Sequence, residues 1–235
     1  EGYMIGDKLA TAMQLFGNPS CINTAKCLQT AGEKGVDVEV TTINSGDEVA
    51  DKSPLSSAPV LKDLDQVVYG TGAILSYLDD KGFGPSLVPR NGVIRAIMYQ
   101  YSHIATDYVQ MEAYGLLTGS GGNMDLVNKA CDILENLFTN PPQHSAPKLK
   151  KDVYICGEFS LADIHWMSCV NALEISGNDV VSSRAPSAVC AIEIPSFALR
   201  AAWSRPFICD SKREPIWRPA ASSAALLTRR PEDKR

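Results

Sequence analysis

The residues best suited to chemistry lie in the turn Asn18-Pro19-Ser20-Cys21, directly before a predicted helix. A cysteine at a helix N-terminus faces the positive end of the helix dipole and free backbone amides, which favour its thiolate. The hydroxyl of Ser20 lies beside it. A small, partly buried cysteine with an ordinary thiol fits the same pattern. The turn therefore predicts either a site for thiol chemistry at Cys21 or an inert, structural cysteine.

The cysteine and histidine patterns argue against two other kinds of site. The seven cysteines are an odd number without regular spacing, which indicates reduced thiols rather than a disulfide framework. We predict no metal site, because the three histidines are scattered without metal-ligand spacing. They are His103, His144 and His165. No uninterrupted apolar run is long enough to cross a bilayer, so no transmembrane segment is predicted.

The formal net charge of −5 is distributed unevenly along the chain. From Lys212 onward, seven basic and three acidic residues give +4, which leaves −9 for the first 211 residues. An acidic body argues against nucleic acid as the main partner. Residues 211–235 are predicted to be a basic tail of low complexity, either disordered or ordered by a partner.

The segments around the turn predict an α/β unit over residues 1–80. A strand candidate at 12–16 precedes a helix predicted from Ser20 to Gly32, and residues 36–42 alternate as a half-buried strand does. Two further apolar runs flank an acidic turn and predict a hairpin, after which Thr71 can cap a closing helix. Two parallel strands joined by a helix, followed by an antiparallel pair and a helix, form a thioredoxin-like unit.

Pro59 occupies an unusual place, at the entrance of the third predicted strand. A proline cannot donate a ladder hydrogen bond, so this position needs a sheet edge or an uncommon backbone. A cis peptide bond before Pro59 fits and would leave the backbone of Val60 free to pair with a ligand. A trans proline at a strand entrance is the alternative.

The second half of the chain changes to helical patterns. Residues 81–90 are rich in glycine and proline and predict a linker. Apolar residues then recur at 3–4 spacing from Ile94 to Gly115, which predicts a long helix whose aromatic and methionine stripe forms core and interface. A further helix is predicted from Met124 to Phe138, within an all-helical domain over 91–210. Ser160 and Asp163 have the spacing of a capping box.

The stretch from Ser53 to Asp80 resembles the second half of the glutathione-binding domain of the glutathione transferases. Pro59-Val60, the acidic turn and the helix that Thr71 opens are similar to that family's pattern, with Gly70 in place of its acidic residue. Ser160 and Asp163, with a glycine three residues earlier, are similar to the capping motif of the buried central helix in the family's second domain. The resemblance implies a thioredoxin-like N-terminal domain followed by an all-α C-terminal domain.

The resemblance also implies that the candidate site binds glutathione as a co-substrate. Family members place a hydroxyl near the start of the first helix, where it donates a hydrogen bond to the glutathione thiolate. Members with cysteine there form mixed disulfides and act as reductases. Counted from Pro19, Cys21 takes this position, and an alignment shifted by one residue assigns it to Ser20.

The contacts to the tripeptide carry over only in part. The resemblance assigns the cysteinyl unit to Pro59 and the Val60 backbone, and the γ-glutamyl carboxylate to Thr71. Lys26 is the nearest match to a basic residue that family members place after the catalytic position. Gly70 keeps its amide but supplies no acidic group for the γ-glutamyl ammonium. Losing one charged hydrogen bond costs about 1.5–3 kcal/mol, which predicts roughly ten- to a hundredfold weaker glutathione binding.

The resulting prediction is a glutathione-dependent transferase or thiol reductase acting on a small electrophile or a disulfide, in the family's detoxification role. The alternative is a non-catalytic scaffold subunit of a larger assembly, and a carrier of an apolar ligand is a third possibility. The resemblance implies a homodimer, or another protein subunit if the chain is non-catalytic. The expected compartment is the cytoplasm, or an organelle such as a plastid if a leader was removed before Glu1.

Overall fold

A four-stranded mixed sheet forms the first part of the fold. The computed structural model describes residues 13–139 and 154–178. The strands lie in the order β2-β1-β3-β4, where β1 and β2 are parallel and the other pairs are antiparallel. The elements are β1 (Met13–Phe16), α1 (Ile22–Glu33), β2 (Val38–Thr41), β3 (Val60–Asp63), β4 (Gln66–Tyr69) and α2 (Thr71–Lys81). This arrangement confirms the predicted thioredoxin-like unit.

The central strands supply the core of this unit. Leu15 in β1 lies opposite Val40 of β2 and Leu61 of β3, and both leucines are fully buried. Since strand side chains alternate between the two faces of a sheet, these leucines pack under the helices while their neighbours face the other side. A short 3₁₀ helix, Gly46–Val49, lies in the connection between β2 and β3.

Helices follow for the rest of the described chain. They are α3 (Gly92–His103), a π-helical segment (Ile104–Gln110), α4 (Met111–Thr118), α5 (Met124–Thr139) and α6 (Leu161–Ile175). The sheet unit followed by these helices is the two-part architecture expected from the sequence. The segments 140–153 and 179–235 lie outside the described residues, and with them the predicted basic tail.

The π-helical segment interrupts the predicted long helix and its stripe. The 3–4 spacing placed Tyr108 and Met111 in a stripe predicted to form core and interface, and they are 50% and 64% exposed in this chain. A π-helix takes more residues per turn than an α-helix, so it rotates the following side chains around the helix axis. The buried positions are therefore Ala105, Val109 and Ala113, which are all fully buried.

The N-terminus of α6 has the predicted capping box. The Asp163 carboxylate accepts hydrogen bonds from the Ser160 amide at 2.9 Å and from the Ser160 hydroxyl at 2.8 Å. Its other oxygen accepts from the Ile155 amide at 3.0 Å. These bonds satisfy groups that the start of a buried helix would otherwise leave unpaired. Asp163 is therefore structural, as predicted.

A buried ion pair fixes the connection between α2 and α3. Lys34, at the end of α1, contacts the Asp79 carboxylate of α2 at 3.0 Å, and both side chains are 2% exposed. Asp79 also accepts from the Leu87 amide at 2.9 Å and the Ser86 hydroxyl at 2.8 Å, while Lys34 donates to the Pro85 carbonyl at 2.9 Å. The Leu87 carbonyl in turn accepts from the Leu161 amide at the start of α6. This group of contacts therefore joins the sheet unit to the helical part.

Candidate functional site

The main cavity lies where the start of α1 and the loop after β2 face α4 and α6. It has a volume of about 420 Å³. Polar and apolar side chains line it on both sides. The sheet unit contributes residues such as Asn44 and Ile43, and the helices contribute residues such as Asn171 and Leu117. None of the described residues that line it carries a formal charge. A volume of this size accommodates a small organic molecule.

Cys21 and Ser20, the two residues predicted to carry chemistry, both line this cavity. The Cys21 amide donates to the Asn18 carbonyl at 2.8 Å, and the Ser20 amide donates to the Asn18 side-chain oxygen at 2.9 Å. Asparagine forms such local bonds readily, which holds the turn in place. Cys21 is the N-cap of α1 with an extended backbone, and no side chain caps this helix. The half-buried thiol thus lies beside uncapped amides at the positive end of α1.

The other described cysteines are unsuited to reaction because they are buried. Burial raises the pKa of the Cys27 thiol to about 12 and that of the Cys169 thiol to about 11. Burial likewise raises the pKa of Cys156 to about 11. A thiol with such a pKa stays protonated at neutral pH and is a poor nucleophile. Among the described cysteines, Cys21 is the one that is not buried.

The structure changes which residue near Pro59 faces the cavity. The Ala58–Pro59 peptide bond is cis. Val60 was expected to offer a free backbone, but it is buried within β3, opposite Phe16 and Tyr69. Ala58 lines the cavity instead, and its backbone forms no hydrogen bond to another described residue. A peptide ligand can pair with such free backbone groups as an added strand does.

Gly70 and Thr71 lie at the N-terminus of α2, outside the lining of the cavity. The prediction that Thr71 caps this helix is wrong, because Gly70 takes the N-cap position and no side chain caps α2. Gly70 has φ +86°, a conformation that favours glycine, and a Cβ there would meet no atom within 4 Å. The backbone conformation thus accounts for the glycine at this position. The free amides of α2 remain suited to a carboxylate.

Lys26 is not part of this cavity lining. Its side chain is fully buried, and its ammonium donates to the side-chain oxygen of Gln110 at the end of the π-helical segment. The Gln110 amide donates in turn to Asn23 of α1 at 3.1 Å. Burial lowers the pKa of Lys26. Lys26 therefore contacts the helical part rather than the region of Pro59 and Thr71.

The helical wall of the cavity was not predicted from the sequence. It includes Tyr114 and Leu117 of α4 with Asn171 and Ile175 of α6. The members of each pair are three or four residues apart and so share one helix face. That spacing was the available signal, but it does not distinguish a cavity wall from core.

Within the described residues, no helix is long and apolar enough to span a membrane.

Comparison with known proteins places these features in a family context. Residues 15–86 match the family model for the N-terminal domain of glutathione S-transferase. The chain is 26% identical over 165 residues to a stringent starvation protein A homolog of Haemophilus ducreyi, covering 67% of each chain. It is 32% identical over 101 residues to glutathione S-transferase Z2 of Arabidopsis thaliana, covering 40% of this chain and 44% of that protein.

Solved structures of glutathione transferases share the fold. A glutathione transferase homolog of Drosophila mojavensis with bound glutathione matches with a TM-score of 0.66 at 19% identity, covering 82% of this chain and 93% of that one. A serine-to-cysteine mutant of poplar glutathione transferase F1 matches with a TM-score of 0.60 at 21% identity, covering 83% and 96%. These matches show the fold, and the sequence relatives support a glutathione-related function.

Proposed function

Since the chain belongs to the glutathione transferase superfamily, we propose that it binds glutathione and performs thiol–disulfide exchange through Cys21. The observation that carries this proposal is the position of Cys21, a half-buried thiol at the uncapped N-terminus of α1 that opens into the main cavity. Backbone amides at this end of α1 that no side chain caps lie beside its sulfur. The other described cysteines lack this environment because they are buried.

The reaction proceeds in two exchanges at one sulfur. The Cys21 thiolate attacks the glutathione sulfur of a mixed disulfide, so that a Cys21–glutathione disulfide forms and the substrate leaves as its thiolate. A second glutathione thiolate then attacks the glutathione sulfur of this adduct, which releases glutathione disulfide and restores Cys21. In sum, one mixed disulfide and one glutathione thiol give one substrate thiol and one glutathione disulfide.

Glutathione binding relies on backbone groups more than on charged side chains. The cysteinyl unit pairs with the free N–H and C=O of Ala58, in the manner of an added strand. The γ-glutamyl carboxylate binds the uncapped amides at the start of α2, with the Thr71 hydroxyl beside them. Gly70 leaves the γ-glutamyl ammonium without an acidic partner from that position. Affinity is therefore weaker than that of a site with a full set of charged contacts.

The test is glutathione-dependent reduction of 2-hydroxyethyl disulfide by the full chain, compared between Cys21→Ser and Ser20→Ala. Because the reaction needs the thiol, Cys21→Ser should abolish reduction and also prevent formation of a glutathione adduct in intact-protein mass spectra. Ser20→Ala, the neighbouring control, should retain both. Reduction that survives in Cys21→Ser would contradict the proposal.

A transferase reaction through Ser20 is a second candidate, because its exposed hydroxyl lines the same cavity. That hydroxyl would donate a hydrogen bond to the thiolate of bound glutathione while it attacks an electrophile. Conjugation of 1-chloro-2,4-dinitrobenzene that is lost in Ser20→Ala and kept in Cys21→Ser would favour this reaction. The reverse pattern would favour exchange at Cys21.

A non-catalytic scaffold role is favoured by a different observation. No charged side chain of the described residues lines the cavity, and Lys26 is directed elsewhere. A chain that gives no glutathione adduct and no heat with glutathione, yet elutes as a larger assembly with other subunits, would fit this role.

A further inference from the structure

We propose that the Thr24 hydroxyl donates a hydrogen bond to the Cys21 sulfur and stabilises it as the thiolate during exchange. The inference rests on the proposed function, because Cys21 is the reacting group there. The hydrogen bond itself can be tested without glutathione.

The Thr24 hydroxyl is buried and has no partner among the described residues. The side chain is fully buried in α1, and its oxygen forms no hydrogen bond with another described residue. Burying a hydroxyl without a partner costs free energy, and such groups are rare in folded proteins. A partner that carries charge only during the reaction accounts for the hydroxyl at this place.

The position of Thr24 in α1 explains why it lacks the usual partner of a helical threonine. Thr30, which is also buried in this helix, donates to the Lys26 carbonyl four residues earlier at 2.9 Å. The residue four positions before Thr24 is Ser20, which precedes the N-cap Cys21 and lies outside the helix. The Thr24 hydroxyl is thus free for a partner at the helix N-terminus.

Thr24 and Cys21 occupy the two positions whose side chains meet at a helix N-terminus. With Cys21 as the N-cap, Thr24 is N3, and these two positions exchange hydrogen bonds in a capping box. Ser160 and Asp163 take the same positions in α6, where the hydroxyl donates to the carboxylate at 2.8 Å. In α1 the direction is reversed, because Thr24 has the donor and Cys21 the acceptor. Both residues line the main cavity.

The hydrogen bond acts in both exchanges. In the first, it stabilises the Cys21 thiolate that attacks the glutathione sulfur of the mixed disulfide. In the second, it stabilises the same thiolate as it leaves, while the incoming glutathione thiolate bonds to the glutathione sulfur of the adduct. Thr24 keeps its proton throughout, so the atoms and electrons balance as they do in the proposed exchange.

The test compares Thr24→Val, which removes the hydroxyl and keeps the shape, with Thr24→Ser, which keeps the hydroxyl. The readout is the rate at which iodoacetamide modifies Cys21 in the full chain at pH 6, where an ordinary thiol is largely protonated. A hydrogen bond to a charged group stabilises that group about ten- to a hundredfold, and the nucleophilicity of a thiolate falls by roughly half as much on a logarithmic scale. Thr24→Val should therefore react about three- to tenfold more slowly than wild type.

Two further rates decide whether the hydroxyl is responsible. Thr24→Ser should react at close to the wild-type rate. Thr30→Val, the control on the same helix, should also react at the wild-type rate, because its hydroxyl is paired within the helix. An unchanged rate in Thr24→Val, or an equal loss in Thr24→Ser or Thr30→Val, would overturn the inference.

Thermal unfolding separates this role from a purely structural one. Thr24→Val replaces a buried, unpaired hydroxyl by a methyl group of the same shape, so it should unfold at or above the wild-type Tm. Thr24→Ser removes a buried methyl group and should unfold below it. The variant that reacts more slowly is thus the more stable of the two. A Tm of Thr24→Val clearly below wild type would show that the hydroxyl has a partner in the resting fold, which would overturn the inference.

These outcomes are separable from the proposed function. A chain that reduces no disulfide, but whose Cys21 alkylation slows in Thr24→Val and recovers in Thr24→Ser, would sustain the hydrogen bond and contradict the proposed exchange. Reduction of 2-hydroxyethyl disulfide that needs Cys21, with alkylation and reduction both unchanged in Thr24→Val, would do the opposite.

Discussion

Replacing Asp79 by asparagine should destabilise the whole fold, because it leaves the buried Lys34 ammonium without a counter-charge. The pair is 3.0 Å apart, with both side chains 2% exposed. Asparagine keeps an oxygen for the Leu87 amide, so the change removes the charge while it conserves the shape. Breaking a buried ion pair in this way costs about 3–5 kcal/mol. For a chain of this size that corresponds to a decrease in Tm of roughly 6–20 °C.

The measurement is urea unfolding of wild type, Asp79→Asn, Lys34→Met and the double variant. The double variant should recover much of the lost stability, because it removes both buried charges. A loss below about 1 kcal/mol in Asp79→Asn, the range of an exposed ion pair, would show that burial does not strengthen the dependence of Lys34 on this carboxylate. Strict additivity of the stability losses of Asp79→Asn and Lys34→Met would likewise contradict the predicted coupling between the two residues.

The same pair makes a prediction about acid. Burial opposes ionisation of Asp79, but the hydrogen bonds from Leu87 and Ser86 and the contact with Lys34 outweigh it and lower the Asp79 pKa. The stabilisation is therefore present above the pKa of an unfolded aspartate, about 4, and is lost as pH falls through the lower folded value. Asp79→Asn should lack this part of the acid sensitivity of the wild type.

Three further predictions concern single positions. Iodoacetamide at neutral pH should modify Cys21 before the buried Cys27, as read by peptide mapping; faster modification of Cys27 would contradict the assignment. Lys26→Met should not lower stability at neutral pH. Burial lowers the Lys26 pKa, so the charged side chain carries a cost at neutral pH that disappears only as pH rises. A marked loss in urea unfolding would show that the hydrogen bond from Lys26 to the helical part outweighs this cost. Gly46→Ala should destabilise by about 1–3 kcal/mol, because its Cβ would lie 1.9 Å from the Ser56 carbonyl oxygen; Tm unchanged in thermal unfolding would exclude that contact.

The order of the elements could be predicted from the sequence because the relevant signals are local. The alternation of residues 36–42, the acidic turn of the hairpin and the spacing of Ser160 and Asp163 each depend on neighbours within a few residues. Such patterns survive in the folded chain when the tertiary environment agrees with them. The turn at Cys21 belongs to the same group, since Asn18 holds it through hydrogen bonds to the next residues.

The direction of individual side chains could not be predicted in the same way. The π-helical segment leaves Tyr108 and Met111 exposed, and no local pattern in the sequence indicated this segment. Lys26 is directed to Gln110, which is 84 residues away along the chain. Ala58, rather than Val60, faces the cavity because sheet pairing places Val60 inside β3. Each of these features depends on packing between distant segments.

Calorimetry of the full chain with glutathione is the direct test of the proposed binding at the start of α1 and α2. We expect binding in the micromolar to low millimolar range that Thr71→Ala weakens and that Met111→Ala, on the exposed face of α4, leaves unchanged. Intact binding in Thr71→Ala would move the γ-glutamyl contact away from α2. No detectable heat at several millimolar glutathione would contradict the proposed glutathione binding.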